Sequence, residues 1–126
     1  MAVTPLYIGT PLNGSPNIVA TANPNRDGVT GTYNTHYTAG AKGGRIDRLQ
    51  LTALNTTNYG LVRLFVNNAL VFEQPIDPNI PSNLNPAFSA GIVFEGGLKL
   101  AAGATLRSST ENAEAFVLVI TDGGDY

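Results

Sequence analysis

The chain has 126 residues, 9 acidic against 7 basic ones and a net charge of −2, which argues against nucleic acid as the main partner, since phosphate backbones demand a basic face. It has no cysteine, so neither a disulfide framework nor thiol chemistry is available. Its mass of 13.2 kDa scales to roughly 6,400 Å² of folded surface against about 19,000 Å² unfolded, enough for one core and not for two.

Only 13% of residues are charged, while Asn and Thr number thirteen each beside 14 Gly and 8 Pro. Gly, Asn and Pro favour turns, and Thr, Val and Ile favour pleated strands. The expected class is all-β: a single β-sandwich, jelly-roll-like, of eight or nine short strands with an extended N-terminal arm. Residues 1–27 are assigned to that arm and residues 28–126 to the sandwich. Met1 to Gly9 has no basic region and no long apolar run, unlike a secretory leader. No stretch approaches the roughly 20 apolar residues of a spanning helix.

In chain order, Gly9 to Asn25 is rich in Pro and Asn around a short strand at Ile18–Thr21. Tyr33–Tyr37 is a polar strand candidate and Ala39–Gly44 a small-residue loop. From Arg45, and clearly at Leu49–Ala53, apolar and polar residues alternate with the period of a half-buried strand. Leu61–Val66 and Leu70–Phe72 flank Asn67-Asn68 and form a tight hairpin. Gln74 to Pro86 carries four prolines and reads as an extended crossover between sheets. Phe88–Phe94 is a strand, Gly96-Gly97 a turn into Leu98–Leu100, and Thr105–Ser108 another strand. Ala115–Ile120, the most apolar run, is expected to be central and buried on both faces, ahead of a polar tail, Thr121–Tyr126.

Chemistry finds little to work with. His36 is the only histidine, and no Gly-x-Ser-x-Gly turn offers it a nucleophile, so it reads as a polar surface or interface residue. Glu111 and Glu114 read as solvated loop charges rather than a paired acid and base. Asp122 and Asp125 are too few for a calcium site, and zinc has no ligand set. Ala39–Gly44 lacks the Gly-Lys-Ser/Thr of a phosphate loop. Asn13-Gly-Ser15 and Asn55-Thr-Thr57 match the glycosylation sequon, a pattern common by chance. No catalytic, cofactor or metal residue is assigned, and no enzyme activity is expected. Five arginines outnumber two lysines, as contact surfaces prefer, and the tyrosines fall at strand ends and loops. Tyr7, Arg26, Tyr33, His36, Tyr37, Arg45, Arg48 and Tyr126 are the candidate interface residues.

Gly44-Arg-Ile-Asp-Arg-Leu49, Gly60-Leu-Val-Arg-Leu-Phe-Val66, Phe88 to Leu100, Leu106 to Phe116 and the closing Gly123-Gly-Asp-Tyr126 together resemble small virion proteins of tailed bacteriophages, over roughly residues 40–126. The resemblance implies a capsid decoration, or cement, protein. Such a protein would be assembled in the bacterial cytoplasm and bound to the capsid exterior as a dimer or trimer. Its partner would be the major capsid protein, with no nucleic acid, membrane or cofactor involved. Residues 9–27 and 74–87 would then reach to neighbours and gain order only on the particle. A phage tail or fibre tip, or a carbohydrate-binding sandwich, is the alternative, although sugar platforms favour Trp and the chain has none.

Overall fold

The computed structural model describes residues 8–11, 17–18 and 20–126. They contain nine strands and no helix: β1 (Thr10–Pro11), β2 (Asn17–Ile18), β3 (Asn34–Thr38), β4 (Gly44–Ala53), β5 (Gly60–Val66), β6 (Ala69–Ile76), β7 (Ser89–Leu100), β8 (Thr105–Thr110) and β9 (Phe116–Asp125). They form two antiparallel sheets. Sheet A runs β1-β9-β4-β7 with β2 also on the β9 edge, and sheet B runs β3-β8-β5-β6. The two share one core, with Leu49, Leu51, Ile92, Leu118 and Ile120 from sheet A and Val62, Leu64 and Leu106 from sheet B. This arrangement is consistent with a β-sandwich.

Alternation places the core. Leu49, Leu51 and Ala53 of β4 are buried while Gln50 and Thr52 between them are half-exposed, so one face of the pleat turns inward. Each fully buried Leu or Ile contributes about 1.5–3 kcal/mol of transfer free energy. Asn67 supplies the positive φ (54°) of the β5–β6 hairpin. β6 lies at the edge of sheet B, where Pro75 takes no bond from a neighbouring ladder. The chain then leaves sheet B after Ile76 and enters sheet A at Ser89, so the Pro-rich connection crosses between sheets as its composition predicts.

Three expectations need correction. Gly96-Gly97 does not end a strand. Both glycines have positive φ, and residues 94–97 bulge against Asp47 before β7 rejoins β4 at Ile46↔Leu98. Thr121–Asp125 is no free tail either, since it pairs with β4 down to Gly44↔Asp125. Finally, β9 is central but buried on one face only: Phe116, Leu118 and Ile120 face the core, while Val117 and Val119 are half-buried.

The described part of the N-terminal segment follows the domain closely. β1 and β2 lie along β9, at Thr10↔Asp125 and Ile18↔Phe116. Ala22 then bridges to Thr110 of sheet B. The expected break at residue 27 falls inside a strap, residues 22–33, fixed to sheet B along its length.

Candidate functional site

The strap is held by its own polar side chains. Asn23 donates its backbone N–H to the Thr110 carbonyl (2.8 Å) and its Nδ2 to the Thr32 carbonyl (3.0 Å). Its Oδ1 accepts from the Asn25 backbone (3.1 Å). Asp27 accepts from the backbone N–H groups of Val29 and Thr30 and from the Thr30 hydroxyl. The Thr30 hydroxyl bond leads the set that holds the Asp27 carboxyl well below its ordinary value. At the tip, Gly28 (φ +72°) presses against the Asn68 backbone so closely that a Cβ would lie 2.2 Å from its carbonyl oxygen.

Beneath the strap lies a charged and aromatic layer. Arg63 is 2% exposed and lies 3.1 Å from Glu73 and 2.6 Å from Glu111, and it donates to the Asn23 carbonyl (3.3 Å). Arg26 reaches the same Glu73 oxygen at 2.9 Å. Tyr33 meets Phe65 edge to face at 5.1 Å, and the Arg107 guanidinium sits 4.4 Å above the Tyr33 ring. Arg107 also donates to the carbonyls of Gly28 and Asn67. Arg26 and Tyr33 thus serve the chain's own packing, and Glu111 is an ion-pair partner rather than a free loop charge.

His36 and Tyr37 are corrections of a second kind: both are buried. His36 sits where the β3–β8 register shifts between Thr35 and Tyr37, and its Nε2 meets Ser108 Oγ. Both side chains are closed to solvent. Tyr37 donates its hydroxyl to Asp125 Oδ1, which also accepts the Gly40 N–H (2.9 Å). Burial first, then the Asp125 carboxylate, raises the Tyr37 hydroxyl above its ordinary 10.0. The hydrogen bond from Tyr37, then that from Gly40, lowers the Asp125 carboxyl below 3.8. Gly44 is required here because a Cβ would fall 1.8 Å from the Tyr37 hydroxyl.

The remaining candidates scatter. Arg45 pairs with Asp47 (3.0 Å) beside Gly97, Arg48 is exposed opposite Asp122, and the Tyr126 N–H donates to the Gly43 carbonyl (3.2 Å). Tyr7 lies outside the described residues. Among the described residues no three His, Asp or Glu side chains gather into a metal site. No helix there is long and apolar enough to cross a membrane.

Residue-type reasoning missed one end of the sandwich, where the loops 54–59, 77–88 and 111–115 meet. Thr57 and Asn79 exchange backbone hydrogen bonds (2.9 and 3.1 Å), tying the first two loops together. The Asn112 side chain donates to the Tyr59 carbonyl (2.9 Å), and the Asn58 N–H donates to the Glu114 carboxylate (2.7 Å). Within the long loop, Asn79 Nδ2 donates to the Pro86 carbonyl (2.8 Å). Asn85 Nδ2 donates to Asn79 Oδ1 (3.0 Å) and to the Ile80 carbonyl (2.7 Å). Ser82 and Asn85 close a turn by reciprocal backbone bonds. The connection expected to order only on a particle is therefore fixed by its own asparagines. On this frame stand Leu84 (97% exposed), Tyr59 (79%) and Ile80 (74%), with Leu54 nearby. Beside them Thr56, Asn58, Asn79, Ile80 and Asn85 line an uncharged cleft of about 420 Å³. The signal in the sequence is an apolar residue set between turn formers, Ile80 beside Pro81 and Leu84 between Asn83 and Asn85.

Compared with protein-family models, curated proteins and solved structures, the chain matches none of them.

Proposed function

We propose that this chain is a structural virion subunit: a decoration protein that binds the outside of a tailed-bacteriophage head and bridges neighbouring major capsid proteins, its sandwich wired in jelly-roll fashion. The observation that carries this reading is the loop end, where a hydrogen-bonded frame holds Leu84, Ile80 and Tyr59 out in water. Exposed apolar side chains on a pre-ordered loop are the economy of a contact surface, because little conformational entropy is lost on docking. Each of Leu84 and Ile80 contributes about 1.5–3 kcal/mol when covered, and engagement of several subunits multiplies modest contacts into avidity. The reactive side chains support the same conclusion: His36, Asp125 and Arg63 are all engaged inside the fold.

The test is occupancy. Mass spectrometry of purified source particles is expected to find hundreds of copies per virion, and a handful would place the chain in a tail instead. Replacing Ile80 and Leu84 together by Ser is expected to leave the fold intact and weaken head binding about a hundredfold, at 1.4 kcal/mol per decade. Unchanged saturation of heads by that variant would refute the contact surface. The uncharged cleft lined by Asn58, Asn79 and Asn85 favours a second reading, a tail tip or module that binds a neutral saccharide. A glycan array separates the two.

A further inference from the structure

The outer faces of the two sheets are treated differently by the chain. On sheet B the strap 22–33 covers Arg63, Phe65 and Ser109, which are buried. On sheet A the outward positions Gln50, Thr52, Val117 and Val119 are half-buried, and Val93 is 56% exposed. Phe116-Val-Leu-Val-Ile120 is nonetheless an unbroken apolar run, the pattern of a strand covered on both sides. The described residues supply only one of those covers.

We propose that the outer face of sheet A seats a second copy of this chain, packed face to face about a two-fold axis running parallel to the strands between β4 and β9. Charge placement selects this occupant. The face carries no charge from Gln50 to Thr52 on β4 or from Val117 to Val119 on β9, and ends in one cation and one anion. Arg48 and Asp122 are register partners on adjacent strands. Both are exposed, and neither joins any ion pair among the described residues. The proposed axis lays β4 of one copy over β9 of the other. Arg48 then meets Asp122 of the second copy and the reverse, while Gln50 and Thr52 cover Val119 and Val117. An isologous interface requires such self-complementarity. Because the axis follows the strands, both loop ends point the same way, so one dimer presents two contact ends side by side. The inference concerns the isolated protein and does not depend on a phage head.

The experiment is sedimentation of the purified chain between about 1 µM and 1 mM, with folding of each variant checked by circular dichroism. The wild type is expected to reach twice the 13.2 kDa chain mass. Arg48→Asp sets two carboxylates against each other across the axis, and Asp122→Arg sets two guanidinium groups. Each variant alone is expected to sediment as a monomer. Mixed in equal amounts, they restore both opposite-charge pairs and are expected to form a heterodimer. A wild type that stays monomeric throughout, single variants that still dimerise, or a mixture that remains monomeric would each overturn the proposal. A monomer that nevertheless coats phage heads would assign this face to the shell instead.

Discussion

Arg63 is a guanidinium taken out of water and surrounded by oxygens from three places: Glu73 of β6, Glu111 of the β8–β9 loop and the Asn23 carbonyl of the strap. Removing one member of a buried ionic set leaves the others uncompensated. Arg63→Ala is expected to cost about 3 kcal/mol, the low end for such sites because both glutamates keep some contact with solvent. The readout is a lower urea midpoint at unchanged m-value. Arg63→Lys is expected to recover only part of that loss, since an ammonium cannot span two carboxylates as a planar fork does. The Tyr37–Asp125 contact sets pH limits at both ends. Asp125 binds its proton less tightly when folded than its ordinary 3.8, so its contribution is present above that pH and disappears as the solution is acidified through the folded value. Tyr37 holds its proton more tightly than its ordinary 10.0, so its contribution is present below pH 10 and lost as pH climbs beyond it. Asp125→Asn is expected to flatten the acid limb of thermal stability against pH, and Tyr37→Phe the alkaline limb.

At the scale of elements, the strands are legible where alternation is strong, as at Leu49–Ala53, or where strand-forming residues run up to a turn, as at Leu61–Val66 before Asn67-Asn68, and the crossover is legible from its prolines. Gly96-Gly97 misleads because a positive φ serves a bulge as well as a turn, and only the resumed pairing of Leu98 with Ile46 distinguishes them. Thr121–Asp125 misleads because Asp and Gly have low β propensity. Pairing along β4 overrides that preference. Residue type marks Arg26, Tyr33 and Tyr37 as contact candidates, yet each finds a partner within the chain, which no local pattern reveals. Ile80 and Leu84 went unmarked because their exposure depends on hydrogen bonds between Asn79, Ser82, Asn85 and Pro86. Asn85→Ala is expected to lower global stability by no more than about 1 kcal/mol. It should also speed amide exchange across residues 79–86 at least tenfold relative to β4 and β9, because only the loop frame is lost.

At the end proposed for contact, Asp77 is an exposed carboxylate without an ion-pair partner, and around it stand the apolar or amphipathic Leu54, Tyr59, Ile80 and Leu84 with exposed amides and hydroxyls. Association through that end should depend little on ionic strength. Raising NaCl from about 50 to about 500 mM is expected to change head affinity less than about threefold, whereas a surface that worked through ion pairs would weaken steeply as the screening length contracts. Calorimetry at several salt concentrations checks this. The β4–β9 ladder runs from Ala53↔Phe116 at the loop end to Gly44↔Asp125 at the other, parallel to any load pulled through the sandwich from a tethered loop end. Traction in that direction slides the two strands past one another and strains the whole row of hydrogen bonds at once, where a transverse tug would peel them singly. Mechanical toughness along the strand axis therefore follows from the pairing itself, and a single-molecule stretching measurement along and across that axis would read it as two different rupture forces.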